Sequence, residues 1–462
     1  MAGIKVAKFG GSSLADAGQV AKVCDIVMAD SQRRIVVVSA PGRRQSGDVK
    51  VTDLLIALAE AALSGGATDK LLQQVVGRYA AIQQGLGLPS AVTVEIEADL
   101  RRRLAAGITE RGRFLDLIKA AGEDACARLV AEALRRRGAD AHYLHPGAAG
   151  LWLTAEHGNA MVLPESYARL RGLRDRPGIV VFPGFFGCTP DGTVVTFPRG
   201  GSDITGAVLA AAVGAELYEN FTDVDSVFAA DPQLVPNARP IRMLTYREMR
   251  ELAYAGFGVF HDEAIVPVVR AGIPVCIRNT NRPEAPGTLV VPKRPSKGGE
   301  VVGIASADGF CAVYVDKYLM NREIGFGRRL LQILEEEGLS YEHAPSGIDN
   351  TSVVLRERDF TPAKEAQVMQ RIREELQPDN VEVQRGLALV MIVGEGMHCT
   401  VGMAARATTA IARAGVNIEM LNQGSSEISM MFGVKAVDRP QTVRALHRAF
   451  FEERADAGGN AA

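Results

Sequence analysis

The chain begins with a strand-like segment, a glycine-rich turn and a helix-like segment in direct succession. Residues 4–9 alternate toward a strand, Gly10-Gly11-Ser12-Ser13 form the turn, and apolar residues recur at helical spacing over 19–28. Glycines let main-chain amides approach phosphate oxygens, and the next helix points its amino end at the loop. Lys8 adds a positive charge. The segment predicts a phosphate-binding loop, while an ordinary strand–helix turn with a solvated lysine shares the pattern.

Strand and helix patterns alternate up to about residue 293. Arg34–Ala40 is a continuous, largely β-branched run that ends at Pro41-Gly42, which is typical of a parallel strand buried on both faces. Further helix-like and strand-like segments lie at 122–137, 178–186, 192–197, 204–212, 216–221, 244–255, 263–271 and 274–278. The alternation predicts an α/β fold with a parallel-rich sheet between helices. Residues 68–120 have a helical pattern and predict an insertion beside the sheet.

The texture of the sequence changes at residues 294–300, which are basic and rich in proline and glycine. Such a stretch is typical of a linker between domains. A chain of 462 residues also exceeds what one hydrophobic core usually organises. We therefore predict a catalytic domain at 1–293. Beyond the linker, two series of strands and helices predict two ferredoxin-like α+β units at 301–380 and 381–462, the second with a short disordered tail.

Composition narrows the class of protein. The formal charge of −2 leaves no basic field for nucleic acid, so we expect a small substrate and no nucleic-acid partner. No apolar run is long enough to span a bilayer and Met1–Ala7 lacks a signal-peptide pattern, which predicts a cytoplasmic protein without a membrane partner. The six cysteines are scattered, with no CxxC pair and no neighbouring histidine at zinc-ligand spacing. We expect reduced, mostly buried thiols and no metal-ligating residue.

Two motifs carry a resemblance to a known family. Lys8-Phe9-Gly10-Gly11-Ser12-Ser13 is similar to the amino-terminal signature of the amino acid kinase superfamily, and within it of the aspartate kinases. Phe197-Pro198-Arg199-Gly200-Gly201-Ser202-Asp203 resembles the family's Gly-Arg-Gly-Gly-Ser-Asp loop, with Pro198 as the departure. In physical terms Arg199 offers a planar fork for a carboxylate, and Ser202 and Asp203 are suited to cap the following helix.

The resemblance implies an amino-acid substrate site. Glu123 in Ala121-Gly122-Glu123-Asp124 matches the family's Gly-Glu motif, in which the glutamate receives the substrate's α-ammonium group. Arg199 then binds the α-carboxylate, which leaves the side-chain carboxylate free for in-line attack on ATP. Without the family, Glu123 reads as an acid in the first turn of a helix. The residues so implied are Lys8, Arg199 and Asp203 for catalysis, and Ser39, Thr52, Glu123, Arg199 and Ser202 for substrate binding.

A nucleotide loop is implied in the same way. Residues 221–228 followed by Ala230-Asp231-Pro232 resemble the family's adenine and ribose loop, with Ser226 in place of the usual glycine. A polar strand–helix loop is the plain alternative. The nucleotide-binding residues implied are Lys8, Gly10, Gly11, Ser12, Thr222, Asp223, Phe228 and Asp231. Mg²⁺ is expected beside ATP, because it bridges phosphate oxygens with few protein ligands.

One segment departs from the family. Residues 255–262 carry Gly258 where many aspartate kinases have a lysine that contacts phosphate. The rest of the segment resembles a branch that shares this replacement, so activity is still expected. Lys50, Arg278 and Arg43 or Arg44 are the candidates to supply the charge.

The two carboxy-terminal units resemble ACT domains. Val393–Met397, Thr400–Arg406, Val416–Ile418 and 423–429 match glycine-rich segments of these modules, which are suited to hold an amino acid between paired copies. The effector-binding residues implied are Met320, Gly325, Phe326, Asp349 and Ser352 in the first unit and Asn417, Ile418 and Gln423 in the second. Polar turn chemistry explains Asn417 and Gln423 equally well.

The resemblance runs from Lys5 to about Phe450. It implies an ATP-dependent aspartate kinase that makes L-aspartyl-4-phosphate for lysine, threonine and methionine synthesis. It also implies feedback inhibition by lysine, threonine or both, and a homodimer or homotetramer held through the ACT domains. Two alternatives remain: another amino acid kinase, acting on glutamate or acetylglutamate, and a catalytically silent amino-acid sensor. The effector, the oligomer size and the role of residues 68–120 stay open.

Overall fold

The computed structural model describes residues 3–107, 110–256, 262–295 and 297–452. The predicted disordered tail and Gly258 lie outside these residues. The chain divides into two compact units. The first contains the residues up to Val227, Pro240–Met249 and a later segment that ends at Arg294, and the second contains Phe228–Arg239, a short segment from Arg250 and the residues from Pro295 onward. No helix in the described ranges has the length and apolarity that a bilayer span requires.

The first unit is built around a mainly parallel sheet. Its strands are β1 (Lys5–Phe9), β2 (Arg33–Val38), β3 (Ala141–Tyr143), β4 (Ile179–Pro183), β5 (Phe186–Cys188), β6 (Val194–Thr196), β7 (Leu217–Thr222), β8 (Met243–Thr245), β9 (Val275–Asn279) and β10 (Thr288–Val291). The main sheet has the order β3-β4-β2-β1-β7-β9-β10-β8. The six strands at one side of this order, β3, β4, β2, β1, β7 and β9, pair with their neighbours in parallel. Strand β10 then pairs with β9 antiparallel. The predicted parallel-rich α/β sheet is confirmed, and β5 and β6 form a separate hairpin.

Helices cover both faces of this sheet. Those that begin in the first unit are α1 (Ala17–Met28), α2 (Val51–Leu63), α3 (Asp69–Gly85), α4 (Ala91–Ala105), α5 (Arg111–Lys119), α6 (Ala121–Arg136), α7 (Pro146–Ala149), α8 (Glu165–Leu170), α9 (Gly201–Val213), α10 (Tyr246–Tyr254) and α11 (Val266–Ala271). Side chains of α1, α2, α3 and α6 share one core with Phe9 and Val38, while α9 packs against β1 and β2. Burial on both sides explains why the strands read as continuous apolar runs.

Two helices begin earlier than the sequence pattern indicates. Thr52 and Asp53 introduce a helical apolar pattern and are suited by type to cap it, but helix α2 starts at Val51 after Lys50, which makes no side-chain cap, so that expectation is wrong. Helix α9 starts after Gly200, which has the left-handed φ of 82° and turns the chain directly into the helix. Ser202 and Asp203 therefore lie in its first turn and are not caps. Their side chains are left for other contacts.

The second unit contains one antiparallel sheet. Its strands are β11 (Gly303–Asp316), β12 (Tyr341–His343), β13 (Asn350–Arg356), β14 (Asn380–Val393), β15 (Met420–Asn422) and β16 (Ser429–Lys435), in the order β12-β13-β11-β14-β16-β15. Its helices are α12 (Phe326–Glu336), α13 (Pro362–Arg371), α14 (Met403–Arg413) and α15 (Arg439–His447). The α+β class predicted for this region is confirmed.

The two halves of the second unit share their central strands. One core combines Val301 and Ile304 with side chains from Ala388 to Phe450, and the other extends from Cys311 to Val383. Strands β11 and β14 are each 14 residues long, and their pairing runs from Gly303↔Val393 to Asp316↔Asn380. Each of these long strands therefore contributes residues from one end to the first of these cores and residues from its other end to the second.

Candidate active site

The loops that follow three parallel strands leave the sheet side by side. Phe9 of β1 is in register with Val38 of β2 and with Phe221 of β7. Beyond the strands, the Gly10 amide donates to the Phe221 carbonyl over 3.1 Å, and the Ser39 amide donates to the Phe9 carbonyl over 3.2 Å. The carboxyl edge of a parallel sheet is where ligands bind in open α/β folds. The structure thus brings together the predicted segments at Lys8–Ser12, Ser39 and Thr222.

Two glycines allow the loops after β1 and β2 to touch. The Gly42 amide donates to the Gly11 carbonyl over 2.8 Å. A Cβ atom on Gly42 would lie 2.7 Å from the Gly11 carbonyl carbon, and one on Gly11 would lie 2.9 Å from the Ala40 carbonyl oxygen. Residues Gly11–Leu14 form a 3₁₀ turn, and Asp16 then caps α1 by accepting from the Gln19 amide. The loop has the exposed main chain that a phosphate site needs.

Gly42→Ala is expected to damage this loop, since its Cβ would meet backbone atoms that cannot move independently. We expect a loss of about 1–3 kcal/mol in the free energy of unfolding and a raised KM for ATP. Gly77→Ala is the matched control, because Gly77 lies inside α3 with no atom within 4 Å of the added Cβ. That change should stabilise the protein by about 0.5–1 kcal/mol. Urea unfolding and ATP kinetics test both, and a Gly42→Ala protein with unchanged values would contradict the close approach.

Lys8 and Asp203 form a buried ion pair at this edge. Lys8 is 7% exposed, and its Nζ lies 2.6 Å from Asp203 Oδ1 and 3.3 Å from Asn220 Oδ1. The Asn220 amide donates to the same Asp203 oxygen over 3.0 Å. Sequence reasoning missed Asn220, although a signal existed: Glu219 and Asn220 are polar residues inside a strand that is buried on both faces.

Glu219, which precedes Asn220 on β7, forms ion pairs with two arginine side chains. Its carboxylate lies 2.6 Å from Arg33 and 2.8 Å from Arg278. Burial opposes ionisation of Glu219, but the two guanidinium groups outweigh it and the pKa is lowered. Arg278, a predicted source of phosphate charge, is thus engaged with Glu219. Arg44 is likewise engaged, with Asp48 at 2.8 Å. Arg43 and Lys50 are exposed and have no ion-pair partner among the described residues.

Glu123 has a buried carboxylate in which one oxygen accepts a hydrogen bond and the other does not. The Ala40 amide donates to its Oε1 over 3.0 Å, whereas its Oε2 has no hydrogen-bond partner in the described ranges. Burial raises the pKa of this carboxyl to about 8, against a lowering by main-chain hydrogen bonds from Ala40 and Glu123 itself. Gly122 lets α6 pack this closely, because a Cβ there would lie 2.9 Å from the Ala40 side chain. A buried acceptor oxygen without a donor fits a cationic group of a ligand.

Ser202 and Arg199 lie at the amino end of α9, which contacts the strand beside β2. The Gly184 amide, just after β4, donates to the Val38 carbonyl over 2.9 Å. A Cβ on Gly184 would lie 2.7 Å from the Ser202 side chain, so α9 begins directly against this turn. The adjacent Phe185 has a left-handed φ of 72°, an uncommon conformation that clusters at functional sites. Arg199 is exposed, with no hydrogen bond or ion pair in the described part of the chain.

Other predicted site residues fall in separate places. Thr52 follows Val51, whose amide donates to the Pro41 carbonyl over 3.1 Å, so it stands beside the loop after β2. The Thr222 hydroxyl donates to Asp223 over 3.1 Å. Phe228 and Asp231 belong to the second unit, where Phe228 packs against a core and Asp231 accepts from the Gln233 amide.

The predicted effector residues all lie in the second unit. Met320 and Phe326 are buried in the core that extends from Cys311 to Val383, and Gly325 precedes α12 with a φ of 81°. Asp349 accepts from the Leu319 amide over 2.8 Å, and the Ser352 amide donates to Pro345. The Asn417 amide group donates to Glu419 over 3.0 Å, Ile418 packs against the core that contains Val301 and Ile304, and Gln423 is exposed. Met320 and Phe326 are thus core residues, and the polar and main-chain groups of these loops are what a ligand could contact.

A parallel sheet with close-packed glycine loops, a buried lysine and an unpaired carboxylate at its carboxyl edge is suited to bind a small ligand that carries a phosphate group. Residues 3–279 match the model of the amino acid kinase family, and residues 390–450 match that of the ACT domain. The chain is 55% identical to aspartokinase 3 of Bacillus subtilis over 97% of its own length and 99% of the relative's. The chain belongs to the amino acid kinase family and, within it, to the aspartate kinases.

Solved structures agree with this assignment. The aspartate kinase of Clostridium acetobutylicum is 36% identical, with a TM-score of 0.87 over 97% of this chain and 100% of that one. Aspartokinase III of E. coli, solved with aspartate and ADP, is 28% identical, with a TM-score of 0.78 over 97% and 100% of the two chains. The same E. coli protein has also been solved with lysine and aspartate.

Proposed function

We propose that the chain transfers the γ-phosphoryl group of ATP to the side-chain carboxylate of L-aspartate, giving L-aspartyl-4-phosphate and ADP. The observation that carries the proposal is the buried, unpaired Oε2 of Glu123, held at the same sheet edge as Lys8 and the glycine loops. Glu123 receives the α-ammonium group and Arg199 the α-carboxylate. Ser39, Thr52 and Ser202 line the ends of β2, α2 and α9 around the substrate.

The reaction needs positioning and charge stabilisation more than proton transfer. An oxygen of the β-carboxylate forms a bond to the γ-phosphorus, the bond from that phosphorus to the ADP oxygen breaks, and ADP leaves with the electron pair. The attacking carboxylate is already ionised near neutral pH, so no general base is required. Lys8 and the main-chain amides of Gly11 and Ser12 stabilise the charge on the transferring group, whereas the Gly10 amide is held by the Phe221 carbonyl. Asp203 and Asn220 hold the Lys8 ammonium at this place.

Mg²⁺ fits the donor set at this edge. It requires oxygen ligands and takes one or two carboxylates together with substrate phosphates. Asp203, in the first turn of α9, and Asp223, just after β7, supply such carboxylates. When bound, the ion would neutralise phosphate charge. Thr222 and Asp223 are proposed nucleotide contacts, and so are Phe228 and Asp231 by resemblance alone.

A substrate screen tests the proposal. Purified protein with Mg·ATP is given aspartate, glutamate or acetylglutamate, and ADP release and acyl phosphate are measured. Aspartate should be turned over in strong preference to the others. Preference for glutamate or acetylglutamate would make the chain another amino acid kinase, and folded protein that forms no phosphoaspartate would favour a silent sensor.

The charge that Gly258 lacks is proposed to come from the loop after β2. Arg43 and Lys50 are exposed there, whereas Arg44 and Arg278 are held by carboxylates. The double variant Arg43→Ala/Lys50→Ala should lower kcat/KM for Mg·ATP by about tenfold, the effect of one lost charged hydrogen bond. Arg44→Ala is the control and should change this value little. If the double variant matches the wild type, neither side chain supplies the charge.

We further propose feedback inhibition through the ACT region by lysine, threonine or both, acting on a homodimer or homotetramer. The loops at 317–325, 345–352 and 417–423 are the proposed effector contacts. Aspartate kinetics that are unchanged by millimolar lysine plus threonine would refute regulation by these amino acids, and light scattering gives the oligomer size. Use of ATP and the buried free thiols are both in keeping with a cytoplasmic location.

A further inference from the structure

Three side chains with metal-binding atoms meet at one end of the sheet in the second unit. Val393 of β14 is in register with Ser429 of β16. The Gly394 amide donates to the Ile428 carbonyl over 2.8 Å, so the residues after β14 and those before β16 run together. His398 and Cys399 lie on the first of these loops and Glu427 on the second. Chain topology thus places His398 and Cys399 beside Glu427, which lies 28 positions after Cys399.

The ligand atoms are already close to each other. Cys399 Sγ lies 3.8 Å from His398 Nε2, and the thiol, the imidazole and one Glu427 oxygen all lie within 4.8 Å of one another. Ligands about 2.0–2.3 Å from a shared tetrahedral ion lie about 3.3–3.8 Å apart, so the thiol and the imidazole already have this spacing and a shift of about 1 Å or less brings in the carboxylate oxygen. The Cys399 amide donates to Glu427 Oε2 over 2.7 Å, which holds the carboxylate beside the thiol.

Access and ligand chemistry favour a transition metal. His398 and Cys399 are exposed and Glu427 is half-buried. The other five cysteines of the chain are buried. Thiolate and imidazole are ligands that Zn²⁺ and related ions prefer, whereas Mg²⁺ and Ca²⁺ prefer oxygen. The spacing of residues in the sequence did not reveal this metal-binding group, because its third ligand, Glu427, lies just before β16 and far from Cys399 in the chain.

We propose that His398, Cys399 and Glu427 bind one divalent transition-metal ion per chain, with Zn²⁺ as the foremost candidate. The imidazole, thiolate and carboxylate occupy three positions of a tetrahedron, and water occupies the fourth. Binding converts the Cys399 thiol to a thiolate and releases its proton to solvent, so affinity falls as the pH is lowered. The ion joins the loop after β14 to the loop before β16.

Cobalt titration of the full chain, freed of metal by a chelator, tests the site without ATP or aspartate. Co²⁺ should bind at one equivalent and give a thiolate-to-cobalt charge-transfer band, and Zn²⁺ should abolish that band whereas excess Mg²⁺ should not. Cys399→Ser should remove the band. Glu427→Gln and His398→Asn should each weaken binding by about tenfold or more, as loss of even an indirect metal contact does.

His142→Asn is the matched control, since His142 is a half-exposed histidine beside Asp140 in the first unit, and the variant should bind Co²⁺ as the wild type does. Circular dichroism shows whether each variant is folded. Absence of a thiolate band in the wild type, a band that persists in Cys399→Ser, or unchanged affinity in folded Glu427→Gln would each overturn the site. None of these outcomes depends on kinase activity, so the site and the proposed function fail separately.

Discussion

Lys8→Met is expected to lower kcat by about 10²–10³-fold, the usual effect of removing one preorganised group that stabilises transition-state charge. Lys8 is the cation that the structure places next to the glycine loop, and its Nζ is held by Asp203 and Asn220. Because Gly258 stands where the family resemblance implies a lysine, we expect Lys8, together with the proposed Arg43 and Lys50, to carry a larger share of the phosphate charge. Methionine keeps the length and packing of the side chain, and Asp203 keeps its hydrogen bond from Asn220.

Lys5→Met provides the matched control for that experiment. Lys5 lies on the same strand, but at its amino end, and its Nζ pairs with Asp30 over 2.7 Å. An exposed or half-exposed pair of this kind contributes about 0–1 kcal/mol to stability, and kcat should be unchanged. Steady-state ADP release gives kcat, and thermal unfolding confirms the fold. Lys8→Met protein with near-normal kcat would refute the phosphate role of Lys8.

The elements of the catalytic sheet were predictable because their signals are local. Arg34–Ala40 is β-branched and ends at Pro41-Gly42, and the structure has a strand at Arg33–Val38. The glycine loop, the α/β class and the α+β class of the second unit follow from patterns of the same kind. Motif resemblance added the residues of the site, since nothing local distinguishes Glu123 from other acids in first helical turns.

Contacts between distant segments were not predictable. The resemblance implies a catalytic role for Asp203, but its residue type and position alone indicate a helix cap. The sequence shows neither that α9 starts at Gly201 nor that Lys8, 195 positions earlier in the chain, lies 2.6 Å from Asp203 in space. The sharing of β11 and β14 between two cores depends on pairing of residues that are 64 (Asp316–Asn380) to 90 (Gly303–Val393) positions apart in the chain. The meeting of Cys399 with Glu427 depends on strand register in the same way.

Glu123→Gln is expected to raise KM for aspartate by about 10²-fold, because it leaves the substrate ammonium buried without its charged partner. The same variant should change two pH dependences. In the wild type, kcat/KM for aspartate should rise with pH through a step near the Glu123 pKa of about 8, since the ionised carboxylate binds the ammonium group. The glutamine variant should lack that step.

Stability gives an independent readout of the same group. The pKa of Glu123 is about 8 in the folded protein against an ordinary 4.5, so between these values the folded state binds more protons than the unfolded state. Stability of the ligand-free protein therefore falls as pH rises through this window, and aspartate should restore it. Glu123→Gln should flatten the dependence of Tm on pH. Asp53 is an exposed acid in the first turn of α2, so the control variant Asp53→Asn should leave the pH profiles of kcat/KM and of Tm unchanged. A Glu123→Gln enzyme that keeps the wild-type KM and pH step would show that the ammonium group binds elsewhere.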